Sequence, residues 1–321
     1  DLTPVEKNEL SYFPEGIYIQ VSSIEDIFIV QAAHPVRLIL ELNNSTVKDL
    51  LQSKTVLPMS KKQIILSLDP FCPAGIETEL QDSILKLIEL GFKTFIANNI
   101  AHIAMLKGKG VNVIAGPYLY TFNRWAVSWL ENQNIGAFIS PFENSRHNLE
   151  DCYESQFRQR VLVPIFAYPA LFRIRFKLPN DYNFSYVSDK EGVSFIVNST
   201  NEGSVVMPES PFSILDKTDF LASIGFKRVL IDFSKIKVQK TFFKKVYQAL
   251  LKKQMLPGTF RFNWKDGFYS PEKIENYKAA DERRAMMKNN SGNNKKSSKR
   301  IQQLSLKRNN KIKHYLNCCS K

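Results

Sequence analysis

The chain has 321 residues, 44% of them hydrophobic and 23% charged, with a formal net charge of +13. That length and composition describe one large domain or two small ones with a sizeable core, and without a run of about 18 uncharged apolar residues no membrane-spanning helix is expected. Twelve of the 44 lysines and arginines lie from Arg283 onward with no acid among them, so residues 1–282 hold 32 bases against 31 acids and the basic character belongs to the tail.

The opening DLTPVEKNEL begins with Asp and shows no basic-then-apolar leader pattern, so the chain is expected to be a piece lacking its natural start. Short apolar runs then recur: IYIQVS (17–22), RLILEL (37–42), QIILSL (63–68), TFIAN (94–98), NVIAG (112–116), AFIS (137–140), VLVPIFA (161–167) and RVLIDF (228–233). They are continuous rather than alternating, as strands of a parallel sheet covered on both faces must be. Helical patterns lie between them. IETELQDSILKLIEL (76–90) puts Ile84, Leu87 and Ile88 on one stripe, and TFNRWAVSWLEN (121–132) and SILDKTDFLASI (213–224) are predicted to behave alike. ELGFKTFIAN, GKGVNVIAG and SIGFKRVLIDF each set a Gly between helix and strand, where a left-handed C-terminal residue must lack a Cβ. Eight such strands with helices between them predict a β/α-barrel-like parallel sheet. An open doubly wound sheet is the rival, but no G-x-G-x-x-G follows any strand.

The rhythm breaks over 179–209. LPNDYNFSYVSDKEGVSFIVN predicts an antiparallel hairpin turning at Asp189-Lys190-Glu191-Gly192. The expected organisation is therefore a barrel-like region over 1–178, a hairpin insertion over 179–209, completion of the β/α domain over 210–282, and a disordered basic tail over 283–321. RFNWKDGFYSP (261–271) is expected to close the globular part as an aromatic strand and turn. The tail is too polar to fold. Lys295, Lys296, Lys299 and Arg300 either form an arm for nucleic-acid phosphates or belong to a solvated terminus. The four cysteines (72, 152, 318, 319) form no C-x-x-C and no disulfide framework, which points to a reducing, cytoplasmic setting.

In a β/α barrel the working residues sit at the carboxyl ends of the strands and in the loops just after them. Here those positions hold Asp69, then Asn98, Asn99 and His102, then Tyr118, Tyr120 and Asn123, then Glu143, Tyr168 and Asp232. Glu143, Asn123, Tyr168 and Asp69 are the catalytic candidates, the carboxylates as acid and base. Asn98, Asn99 and Glu143 compete with a role as helix N-caps, and His102 with simple packing. In FRIRF, Arg173 and Arg175 either meet a nucleic-acid phosphate or form the solvated side of a half-buried strand. H-E-x-x-H, G-x-S-x-G and a P-loop are absent, and no cofactor or metal is expected.

Several stretches resemble the collagenase-like peptidase family (peptidase U32). GFKTFIANNIAHIAML, VNVIAGPYLYTFNRWAVSWL, IGAFISPFENS and VLVPIFAYPALF follow the family's order and spacing. SDKEGVSFIV is similar to its Asp-Arg-x-Gly-x-x-Phe hairpin, PESPFSILDKTDFLASIGFKRVLIDFS to its next block, and WKDGFY to its terminal Arg-Gly-Phe turn. The resemblance covers roughly 60–270. It implies a β/α-barrel-like domain, related to enzymes that hydroxylate RNA or quinone precursors with a four-Cys iron–sulfur cluster. Tyr168-Pro169 stands where the family has His-Gly, Phe172 where the first cluster Cys stands, and Phe142 at the Glu position, with Glu143 one place on. Without thiolates the cluster is not held. The expected function is therefore that of a cluster-free binding or partner subunit, for RNA or for a cluster-bearing homologous subunit. The alternative is an enzyme of the family, hydrolase or RNA hydroxylase, whose catalytic part lies in a missing N-terminal region or in carboxylates at the barrel mouth.

Overall fold

The structure, a computed structural model, describes residues 10–52, 56–71, 75–176, 186–188, 194–200, 203–261 and 264. The first seven apolar runs form β1 (Gly16–Val21), β2 (Arg37–Glu41), β3 (Ile64–Ser67), β4 (Thr94–Ala97), β5 (Asn112–Ala115), β6 (Ala137–Ile139) and β7 (Val161–Ala167). They pair in sequence order, all parallel. The eighth run is β13 (Arg228–Asp232), which inserts between β7 and β1 and closes the barrel, with Gly16 opposite Arg228 and Gln20 opposite Asp232. The expected β/α barrel is the observed one. Pro164 lies inside β7, where it cannot donate to a ladder; the β7–β13 register slips there, pairing Leu230 with Pro164 and Ile231 with Phe166.

Helices α1 (Ile24–Val30), α2 (Asn44–Leu51), α3 (Glu77–Glu89), α4 (Ile100–Leu106), α5 (Arg124–Asn132), α6 (Arg146–Cys152), α7 (Ser155–Arg158), α8 (Thr218–Ser223) and α9 (Lys240–Leu251) lie between or after the strands. Gly91, after α3, has φ 101°, and Gly225, after α8, has φ 100°. The helix predicted over 213–224 is shorter than the sequence pattern suggests. Phe212–Ser213 is a strand, β12, antiparallel to β7, and Leu215–Lys217 is a 3-10 turn. There the Ser213 and Ile214 N–H groups donate to Phe260 and Ile165 carbonyls, so long-range pairing outweighs local helical preference.

The antiparallel insertion is a sheet of β8 (Phe172–Ile174), β9 (Tyr186–Ser188), β10 (Ser194–Thr200) and β11 (Gly203–Pro208) in the order β8-β11-β10-β9. Ser194 pairs with Ser188, as a hairpin requires, while its turn at 189–192 lies outside the described residues. The tail, with Lys295, Lys296, Lys299 and Arg300, and residues 265–271 lie outside them too. Among the described residues no helix is long and apolar enough to cross a membrane.

The barrel interior follows the two-residue period of a strand. Tyr18, Ile39, Ile65, Ile96, Ile114, Ala137, Leu162 and Leu230 form its buried core with Phe13, a ring contributed by the segment preceding β1. The Phe13 carbonyl accepts from Arg228 Nε at 2.7 Å, and the Arg228 guanidinium lies 5.2 Å from the Phe13 ring. Tyr18 donates its hydroxyl to the Pro14 carbonyl, 2.7 Å away. The amino end of the barrel is therefore sealed by aromatic packing, and any site must open at the other end.

Candidate functional site

Two residues beyond the core layer, the inward positions turn polar. Ile39 is followed by Glu41, Ile65 by Ser67, Ile96 by Asn98, Tyr18 by Gln20 and Leu230 by Asp232. These five polar residues, with Tyr118, Ser234 and Lys235 from the loops, line a pocket at the carboxyl ends of the strands. It is narrow, with a cavity volume of about 20 Å³, and is partly open to solvent.

The dominant interaction is a buried ion pair. Lys235 Nζ donates to both Glu41 oxygens, at 2.6 Å to Oε2. Glu41 is 8% exposed. Burial pushes its carboxyl up, but Lys235, aided by Arg173 and Ser234, more than offsets this and leaves it below the ordinary range. For Lys235 burial favours the neutral amine, but Glu41, Tyr118 and Asp232 together outweigh it and raise the group, so the ammonium is held.

Asp232 behaves oppositely. It is 7% exposed, and its Oδ1 accepts the Ser234 N–H at 2.7 Å. Burial pushes its carboxyl up to about 6; Lys235 and Ser234 pull it down less strongly, and the Glu41 charge adds to the rise. The mouth thus holds two carboxyls with opposite shifts, one firmly charged and one that titrates near neutrality.

The insertion sheet reaches this mouth. Arg173, on β8, makes a bidentate pair with Asp69 in the loop after β3 (Nη2–Oδ2 2.9 Å, Nη1–Oδ1 3.3 Å) and lies 5.9 Å from the Tyr118 ring. Asn198, on β10, donates to the Lys235 carbonyl at 3.3 Å. Loops after β3, β5 and β13 are therefore each touched by the sheet.

The sequence-predicted residues divide accordingly. Asp69 reaches the rim, but as the partner of Arg173. Asn123 spends its side-chain oxygen capping α5, accepting the Ala126 N–H at 2.9 Å. Asn99 caps α4 in the same way. Glu143 is exposed, and its neighbour Phe142 lines the pocket instead. The Tyr168 ring packs edge-on against Phe166, outside the pocket lining, and burial raises its hydroxyl. His102 is fully buried: its Nδ1 accepts the Asn98 N–H at 3.2 Å, and burial lowers its ring to about 4. Arg173 pairs with the Asp69 carboxylate, and Arg175 lies 4.6 Å over the Phe71 ring.

Asp232 and Asn98 do line the pocket; Glu41, Lys235, Gln20 and Ser67 escaped the sequence reading. Their signal was available as a polar residue two places past a buried one, near the end of an otherwise apolar run. Among the described residues no cluster of three or more His, Cys, Asp or Glu is placed to hold a metal. Cys152 is a buried free thiol on outer helix α6, raised to about 11 by burial.

No family model and no curated protein matches the chain. Among solved structures, the spore cortex-lytic enzyme SleL of Bacillus megaterium QM B1551 is 11% identical over 77% of this chain and 75% of that one, with a TM-score of 0.36. SleL of Bacillus cereus is 11% identical over the same shares, with a TM-score of 0.34.

Proposed function

We propose that this chain is a peptidase U32-like barrel that works without an iron–sulfur cluster, as a cytoplasmic binding or partner subunit related to the RNA- and quinone-modifying enzymes of that family. The observation that carries the proposal is a strand-end pocket built of carboxylates, amides, a phenol and an ammonium, with no thiolate among its described lining residues. Phe172, at the position of the family's first cluster Cys, is 66% exposed on β8 and beside the Arg173–Asp69 pair. The occupant of such a site is recognised by hydrogen bonds and charge. Anaerobic incubation of the full chain with iron and sulfide is expected to leave it colourless, while the chain captures a cluster-bearing homologue as a brown complex or retains RNA. A cluster bound by the chain alone would overturn the proposal. RNA retained by the intact chain but lost with Lys295, Lys296, Lys299 and Arg300 changed to Gln would assign RNA to the tail.

One observation favours a second reading, acid–base catalysis. Paired carboxyls pushed in opposite directions are how a site keeps one acid and one base at the same pH. Asp232 would supply the proton and Glu41 the fixed negative charge. Hydrolysis of peptide, ester or glycoside substrates that declines above about pH 6 and vanishes in Asp232→Asn would support it; a rate unchanged by that substitution would end it.

A further inference from the structure

One acceptor of the pocket lacks a donor. Asn98 is 6% exposed; its Nδ2 donates to Ser67 Oγ at 3.2 Å and to the Leu68 carbonyl at 2.8 Å, while its Oδ1 has no hydrogen-bond partner. A buried acceptor left without a donor costs roughly 1–3 kcal/mol. The neighbouring backbone maintains this position: a Cβ on Gly116 would stand 1.8 Å from Asn98 Oδ1, so the amide fits only against a glycine. Asn98 ends β4 and Asp232 ends β13, four strands apart in either direction round the barrel, so the two face each other across the mouth.

The charges point the same way. Glu41 and Asp232 set two negative charges against the single positive charge of Lys235, and Arg173 is already matched by Asp69. Among the described residues the sum at the mouth is one negative charge when Asp232 is ionised.

We propose that the strand-end pocket binds a small organic cation with N–H donors, an ammonium or amidinium group that meets Asp232 on one side and Asn98 Oδ1 on the other. The proposal rests on the reading of the mouth as a binding site and names the chemistry of its occupant. Such a ligand supplies both the missing donor and the missing charge. A phosphate or carboxylate would face Asp232 and Glu41 with no unpaired cation among the described lining residues. The groups facing Asp232 are Lys235 and Ser234 from its own loop, Glu41 from β2 and Tyr118 from the loop after β5, while Arg173 and Asp69 pair with each other at the rim. Of these, Asp232 is the one pushed to about 6, so binding should weaken as it protonates.

The test is a titration of the full chain with diaminopropane, followed by thermal melting. Tetramethylammonium (charge without N–H donors) and propanediol (hydrogen-bond donors without charge) serve as controls. Diaminopropane is expected to raise Tm saturably and to bind roughly tenfold more weakly at about pH 5 than at about pH 7.5. Asp232→Asn is expected to abolish the effect. Asn98→Ala is expected to weaken it several-fold; together with the pH dependence it keeps the test decisive if Asp232→Asn does not fold. An equal shift from tetramethylammonium, or an affinity independent of pH, would overturn the proposal. Saturable binding of propanediol alone would overturn the cationic class while leaving the mouth a binding site. No response to any probe would overturn the inference, and the site itself would then rest on the reconstitution and capture experiment above.

Discussion

At the scale of single residues, the mouth is governed by which carboxyl Lys235 serves. Both hydrogen bonds from its ammonium go to Glu41, so for Asp232 the burial penalty exceeds the pull of Lys235 and Ser234. Its ionisation in the folded chain therefore opposes folding. The folded value is about 6 against an ordinary 3.8, so the contribution of this group is most favourable below about pH 4 and is lost as pH rises through 6, by about 3 kcal/mol. Asp232→Asn should consequently gain stability relative to the unaltered chain as pH is raised from about 4 to about 8. Denaturant melts across that range measure the gap, and a gap constant with pH would show that Asp232 is not the group that titrates. Gly116 offers a second residue-scale test. A Cβ there would meet Asn98 Oδ1 at 1.8 Å and Ile96 Cγ2 at 2.8 Å. Gly116→Ala should cost about 1–3 kcal/mol by overpacking, measured by urea melts, and should displace the Asn98 amide.

At the scale of elements, the antiparallel sheet is joined to the barrel mouth through polar contacts. Arg173 and Asp69 are bidentate, but their side chains are 25% and 41% exposed, so solvent screens them. A double-mutant cycle on Arg173→Ala and Asp69→Ala should give a coupling below about 1 kcal/mol that shrinks further in high salt; a much larger coupling would mean that the pair is shielded. The elements also show what was readable beforehand. All eight barrel strands were visible as apolar runs, because a strand covered on both faces has no polar side to blur it. The glycines after the helices marked the strand starts for the same local reason. β8 was less visible: it is three residues long, with Phe172 outward, and it exists through its pairing with β11, some thirty residues along the chain. The Glu41–Lys235 pair was hidden more deeply, since its partners lie 194 residues apart and meet only once β13 has entered beside β1. Asn123 drew attention as a polar residue after a strand, a pattern that capping satisfies equally well, while Glu143 is exposed and Ser145 caps the helix that follows it.

At the scale of the whole molecule, the barrel is sealed at one end and polar at the other. Phe13 makes the seal, fully buried against the core layer and held by Arg228. Phe13→Ala should therefore destabilise by about 3–5 kcal/mol, read by thermal or urea melts, without altering the shape of the strand-end pocket. A loss of less than about 1 kcal/mol would mean that the seal collapses to fill the gap. The closure between β1 and β13 also has a consequence in time. Gly16–Val21 leaves the ribosome well before one of its two partner strands, Arg228–Asp232, which emerges more than two hundred residues later. At synthesis rates of about 5–20 residues per second, one edge of β1 waits for roughly ten seconds or more without its final neighbour. An apolar strand with an open edge is the kind of surface on which nascent chains pair wrongly. The chain should thus depend on chaperones during synthesis far more than its finished, edgeless barrel would suggest.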